Sequence, residues 1–268
     1  MSVPTPSLPR RSLPSPNLSL LGKVAVVTGA SRGIGQAIAI GYARAGADVA
    51  ILARDQSRLE DVAAEIESQG RRALVLSADV TDEAAVREAV GRVTAELGGL
   101  HVVVNNAGGN SFSVPIATMR PSGWSKTQVL NVDSVFHVSQ VALPQLVASG
   151  GGSIINVASV AGLQGAPYMA HYAAAKAAVI SLTQSLAIEV ASRGVRVNAL
   201  VPGWIATDLT EFLRGDESTE AALLDRVPMK RWGTAEEMVG PALFLACEES
   251  SFMTGQTLVV DGGLSAMP

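Results

Sequence analysis

Seven short apolar runs rich in β-branched residues punctuate the chain: Val24–Thr28, Asp48–Leu52, Ala73–Ser77, His101–Val104, Ser153–Val157, Val195–Leu200 and Thr257–Val260. Unbroken apolar runs of this length fit strands buried on both faces, as in a parallel sheet. Longer stretches with helical periodicity lie between them, at Ile34–Ala45, Gln56–Gln69, Asp82–Leu97, Pro121–Ala148, Ala170–Arg193 and Ala235–Cys247. Gly46, Gly70, Gly98 and Gly194 stand just past four of these, where a helix stops in the left-handed conformation. Strand and helix alternate to the end of the chain, and neither a repeat nor a second core is visible. The pattern predicts an α/β protein: a doubly wound, seven-stranded parallel sheet with right-handed crossovers, in a single domain over residues 21–268.

Residues 1–20 depart from this pattern, with five prolines, several serines and Arg10 and Arg11 as their only charges. Prolines at that density oppose an amphipathic targeting helix, and no apolar h-region follows the arginines. The segment reads as a flexible extension; a targeting segment and an oligomer-contacting arm are the alternatives.

Composition narrows the function classes. A formal net charge of −4 with 16% charged residues gives no basic field for nucleic acid. No run of 18 uninterrupted apolar residues suggests a membrane span. One cysteine, Cys247, makes neither an internal disulfide nor a zinc site and points to a reduced, cytoplasmic setting. His101, His137 and His171 have no ligand partner at metal-binding spacing, so no metal is expected.

The first run leads directly into Thr28-Gly29-Ala30-Ser31-Arg32-Gly33-Ile34-Gly35 and then a helix. Glycines let backbone turn tightly against a pyrophosphate, and the helix N-terminus offers free N–H groups and partial positive charge. On a first strand-to-helix junction this reads as a dinucleotide site, although the spacing is G-x-x-x-G-x-G rather than G-x-G-x-x-G. Gly29-Ala30-Ser31-Arg32-Gly33 also matches the G-x-S-x-G nucleophile elbow. That hydrolase reading needs a histidine late in the chain, and none follows His171.

A second cluster adds Tyr172 and Lys176, four residues apart on one helical face, with Ser159 thirteen residues before the tyrosine. Asn105-Asn106-Ala107-Gly108 closes the fourth run, and Asn131 lies in the next helix. With the glycine loop, Asp79, Pro202-Gly203 and Val260-Asp261-Gly262-Gly263, these residues closely resemble the short-chain dehydrogenase/reductase family over about residues 21–265.

The resemblance implies a Rossmann-like fold and an oxidoreductase that moves a hydride between a nicotinamide cofactor and a carbonyl or secondary alcohol. It makes Tyr172 the general acid/base, with a phenol pKa tuned downward by Lys176, which also binds the nicotinamide ribose. Ser159 would hold the substrate oxygen, and Asn131 a proton relay. Gly29, Ser31, Arg32, Gly33, Ile34, Gly35, Arg54, Asp79, Val80, Asn106, Ala107, Gly108, Pro202, Gly203, Ile205 and Thr207 would contact the cofactor with Tyr172 and Lys176. The family's acidic ribose-binding position falls on Ala53; Arg54 directly after it and Arg32 in the glycine loop favour NADP(H), with NAD(H) the alternative if a longer strand brings Asp55 to the ribose. A homotetramer is implied as well, through the helices carrying Asn131 and Tyr172.

Residues 207–231 read as a substrate lid with an apolar wall. The surroundings of Asn198–Thr207 and Gln256–Gly263 resemble both 3-oxoacyl-thioester reductases and sugar-acid dehydrogenases of the family. The first is the preferred reading, although His137 and Ile188 stand where carrier-protein reductases tend to carry arginines. A nucleotide-sensing protein on the same fold is the rival from another class; such sensors lose the Tyr or Lys that this chain keeps.

Overall fold

A computed structural model describes residues 18–267. The Pro-rich segment 1–17 therefore lies outside the described residues, and its expected flexibility with it. Strands β1 (Val24–Thr28), β2 (Asp48–Ala53), β3 (Ala73–Ser77), β4 (Val102–Asn105), β5 (Gly152–Val157), β6 (Val195–Pro202) and β7 (Thr257–Val260) form one sheet in the order β3-β2-β1-β4-β5-β6-β7. Every pairing is parallel, as in Val26 opposite Ala50 and Val103. All five residues of β1 and all four of β4 are buried, which is why their sequences run apolar without alternation.

Helices α1 (Gly33–Arg44), α2 (Gln56–Ser68), α3 (Glu83–Leu97), α4 (Pro121–Gln128), α5 (Ser134–Ala148), α6 (Ala170–Val190), α7 (Glu211–Arg214), α8 (Glu217–Asp225) and α9 (Val239–Ala246) complete the fold. One apolar cluster joins β1, α1, α2 and α9, a second joins α3, α5 and α6 to the opposite sheet face, and a third packs Val179 of α6 with Ala199 and Val201 of β6 and Val227. Gly46, Gly70, Gly98 and Gly194 all adopt positive φ, the left-handed stop their positions predicted.

Two sequence expectations need correction. Leu20 is buried in the core and its N–H donates to the Ala45 carbonyl at 2.8 Å, so the packed domain begins before residue 21. The single helix expected over 121–148 is split by a π-turn at Val129–Asp133 into α4 and α5. Segment 207–231, expected to be a substrate lid, contains α7 and α8. Finally, α6 with its 3₁₀ extension to Arg193 is, by length and composition, one helix apolar enough to cross a membrane; here it packs on the sheet with Ala175, Lys176, Val179 and Thr183 buried.

At the N-terminal rim of the sheet, Asp48 is nearly enclosed and holds two arginines, Arg71 Nη2 at 2.6 Å and Arg72 Nε at 2.7 Å. Burial pushes the Asp48 carboxyl up, but the Arg72 hydrogen bonds and both guanidinium charges outweigh it, and the net shift is downward.

Candidate active site

The strand order turns at β1, whose neighbours β2 and β4 leave in opposite directions, and a crevice opens beyond the carboxyl ends at that point. The cleft there encloses about 1600 Å³, more than the roughly 300–1000 Å³ of a single small-ligand pocket. It has room for two ligands end to end.

The glycine loop forms one wall. Gly29 and Gly33 sit at φ +63° and +57°, conformations that side chains resist. Gly29 faces Ala107, whose Cα would lie 2.9 Å from an added Cβ. No side chain caps α1, so its first N–H groups remain for an anion. The β1 and β4 ends are stitched together: Thr28 Oγ1 accepts from the N–H groups of Asn106 (3.0 Å) and Ala107 (2.9 Å), and Asn106 Nδ2 donates to Thr28 O at 2.9 Å.

Of the residues singled out from sequence, Gly29, Ser31, Arg32, Gly33, Ile34, Arg54, Asp79, Val80, Asn106, Ala107, Gly108, Ser159, Tyr172, Lys176, Pro202, Gly203, Ile205 and Thr207 all line this cleft. Gly35 and Asn131 stand behind the wall. A Cβ on Gly35 would collide with the Asn106 amide and the Gly29 carbonyl, so this glycine serves close packing. Asn131 is fully buried in the π-turn; its Oδ1 accepts from Gly109 N at 3.0 Å, and its Nδ2 donates to the Gly109 and Thr127 carbonyls, each at 3.0 Å. It pins the 107–110 loop rather than facing the cleft.

β5 delivers Ser159 through a tight turn in which Ser159 Oγ accepts from Ala161 N at 3.2 Å. Tyr172 and Lys176 rise from the first turns of α6. Burial raises the Tyr172 phenol above its ordinary value, partly offset by its hydrogen bond with Ser159. The sequence-based expectation of a lowered phenol is thus not met, because desolvation outweighs the hydrogen bond with Ser159. Lys176 Nζ is itself desolvated and pulled down to about 8. It donates to the Val157 carbonyl at 2.9 Å and stands 5.7 Å from the Tyr172 ring centre.

At the β2 end, the strand runs one residue further than expected, to Ala53, and Asp55 lines the cleft with its carboxylate already engaged. It caps α2, accepting from Arg58 N at 3.2 Å, with Arg58 Nε 3.5 Å from its Oδ2. Arg54 Nη1 lies 3.8 Å from Asp79 Oδ2, and Arg32 Nη1 lies 3.1 Å from Asp208 Oδ2. Three arginines therefore flank one corner of the cleft, and Arg58 had no signal in the sequence.

Two further supports escaped the sequence reading. Asn105 Nδ2 donates to Asn156 Oδ1 at 2.8 Å, and Asn156 Nδ2 to Thr183 Oγ1 at 2.8 Å, a buried polar chain from β4 through β5 to α6. Fully buried His171 pairs with Asn110 Oδ1 at 2.9 Å and stacks on Phe112 with ring centres 4.1 Å apart, holding the 110–114 loop against the start of α6. Among the described residues no cluster of three metal-ligating side chains occurs.

Known proteins are similar to this chain over most of its length. A family model described as enoyl-(acyl carrier protein) reductase matches residues 29–265. Gluconate 5-dehydrogenase of Gluconobacter oxydans is 39% identical over 247 residues, 92% of this chain and 96% of that protein. A 3-oxoacyl-[acyl-carrier-protein] reductase of Thermotoga maritima is 38% identical over 247 residues, 92% of this chain and 99% of that protein. The chain belongs to the short-chain dehydrogenase/reductase family. As a short-chain dehydrogenase/reductase it is an oxidoreductase, and its fold matches solved members throughout. The crystal structure of a gluconate 5-dehydrogenase from Burkholderia cenocepacia, in complex with NADP and tartrate, superposes with a TM-score of 0.90 at 37% identity, covering 94% of this chain and 98% of that one.

Proposed function

We propose that this short-chain dehydrogenase/reductase is an NADP(H)-dependent carbonyl reductase or alcohol dehydrogenase whose working groups are Ser159, Tyr172 and Lys176. The observation that carries the proposal is their convergence in the same cleft as an uncapped α1 N-terminus and the arginine-rich β2 end. The cradle fits a dinucleotide phosphate: Gly29 and Gly33 give the positive-φ loop that leads into the uncapped α1 N-terminus, and Arg32 and Arg54, which line the same cleft, offer charge-assisted donors for a 2′-phosphate. NADP(H), when bound, supplies or takes up the hydride.

The chain's own groups handle the proton. A phenol raised above its ordinary value keeps its proton at neutral pH, so Tyr172 is in the form that can donate to a carbonyl oxygen, which suits reduction. Ser159, already facing that phenol, would hold the same oxygen as charge develops on it. Lys176 would bind the nicotinamide ribose while its ammonium donates to Val157 O beside Gly108. Asn131, whose side chain pins the 107–110 loop, would hold the proton relay to Lys176 through its backbone.

The lid offers Leu209, Leu213 and Leu223 to the cleft, an apolar wall suited to the chain of a 3-oxoacyl thioester. Arg120, Lys126 and Arg226 line the same cleft and favour a second reading, a sugar-acid or polyol dehydrogenase, which the likeness to gluconate 5-dehydrogenase also supports. Exposed Phe136 on α5 and Ile188 on α6 support a homotetramer, and the lone buried thiol of Cys247 supports a reduced, cytoplasmic setting. The deciding experiment follows nicotinamide absorbance with NADPH against acetoacetyl-CoA, 5-ketogluconate and simple ketones. No oxidation of NADPH with any carbonyl, while the protein binds the cofactor, would return the nucleotide-sensor reading.

A further inference from the structure

One carboxylate holds two of the arginines at the cofactor end of the cleft. Asp208 Oδ2 lies 3.1 Å from Arg32 Nη1 in the glycine loop and 3.5 Å from Arg58 Nη1 on α2. Asp208 belongs to neither element: it opens the lid together with Thr207, whose methyl packs against Gly33. Arg32, Arg58 and Asp208 keep 60%, 50% and 51% of their side-chain surface in water, so the pairs are exchangeable and weakly held. The Asp208 carboxyl is nonetheless drawn below its ordinary value, first by the Arg32 hydrogen bond.

We propose that Arg58 joins Arg32 in holding the 2′-phosphate of NADP(H), and that Asp208 is the internal anion this phosphate displaces, so that cofactor choice and release of the lid are coupled. The inference rests on the NADP(H) reading above. A phosphomonoester carries up to two charges and three acceptor oxygens against the carboxylate's one charge and two, so guanidinium forks transfer to it. A carboxylate left in place would repel the incoming phosphate. A cofactor without the 2′-phosphate makes no such demand and leaves Asp208 paired. The far end of the lid reports on the movement: Trp232 Nε1 donates to Glu220 Oε1 on α8 at 2.6 Å and sits edge-on to Trp204, 5.9 Å between ring centres.

The test uses the full chain with 2′,5′-ADP, which carries the 2′-phosphate without a nicotinamide, and with 5′-ADP as control. Calorimetry gives affinity; tryptophan emission and trypsin cleavage after Arg214 and Arg226 report the lid. Because exposed ion pairs are worth about a few-fold each, Asp208→Asn is expected to bind 2′,5′-ADP roughly three- to tenfold more tightly and 5′-ADP unchanged. Arg58→Ala is expected to weaken 2′,5′-ADP binding about tenfold, with 5′-ADP again unchanged. In the wild type 2′,5′-ADP, but not 5′-ADP, changes the emission and speeds cleavage; in Asp208→Asn both changes are present before ligand is added. Weaker or unaltered 2′,5′-ADP binding by Asp208→Asn overturns the inference, since the carboxylate would then merely order the arginines. Equal affinity of the wild type for the two ligands removes the NADP(H) reading and this inference together. A preference for 2′,5′-ADP that neither variant alters removes this inference alone.

Discussion

The ammonium of Lys176 is tied at 2.9 Å to the carbonyl of Val157, the last residue of β5, while the ring of Tyr172 stands 5.7 Å away. The lysine thus spans from its helix to the end of a central strand, and it does so almost without water. Burial lowers its pKa to about 8, so at neutral pH the fold carries a desolvated charge.

That cost has a testable sign. Between pH 8 and the ordinary lysine value of 10.5 the unfolded chain binds more protons than the folded one, so the Lys176 penalty is full below pH 8 and fades above it. Lys176→Met is expected to abolish turnover yet stabilise the protein at pH 7 by a few kcal/mol at most. The gain is on the order of 1.4 kcal/mol for every tenfold loss of proton affinity, less the lost hydrogen bond. Denaturant unfolding of both proteins from pH 7 to 10 should show the gap closing. A gap independent of pH would mean that the lysine is not desolvated.

Tyr172→Phe keeps the ring and removes the proton. Turnover is expected to fall by about 10²–10⁴-fold with NADPH affinity nearly unchanged. Since burial holds the phenol protonated, wild-type reduction should persist through neutral pH, and alcohol oxidation should climb as the medium becomes alkaline. A Phe variant with near-normal turnover would exclude Tyr172 as the acid.

Arg54→Ala is expected to raise KM for NADPH about three- to tenfold and leave KM for NADH in place. The effect is modest because the side chain is 81% exposed and already faces Asp79 at 3.8 Å. Adding salt should weaken NADPH more steeply than NADH. Steady-state kinetics with both cofactors decide this, and a wild type that prefers NADH would return attention to Asp55.

Ile188, 82% exposed on α6, and Phe136 on α5 present apolar surface that a second subunit would cover. Light scattering at micromolar concentration should report a tetramer, and Ile188→Glu a smaller species. A monomeric wild type would end this reading.

Much of this architecture was legible because strands buried on both faces write themselves as unbroken apolar runs, and because helix-stopping glycines mark their own positions. The π-turn at Val129–Asp133 was not: one extra residue shifts the ladder without interrupting helical composition. The helices within 207–231 were missed because α8 buries no residue and so shows no apolar stripe. At the site, Tyr172 and Lys176 share a helical face, which spacing reveals. Asp208 meets Arg32 and Arg58 across 176 and 150 residues, and His171 meets Asn110 across 61, separations at which no local pattern exists.

The parallel register sends every strand's carboxyl end to the cleft and leaves Asp48, with Arg71 and Arg72, at the opposite rim. Durability and chemistry are thereby housed at separate ends of the molecule. Mutation and selection can rework one without disturbing the other: a lineage can tune its heat tolerance at the Asp48 rim while its loops at the far end change substrates.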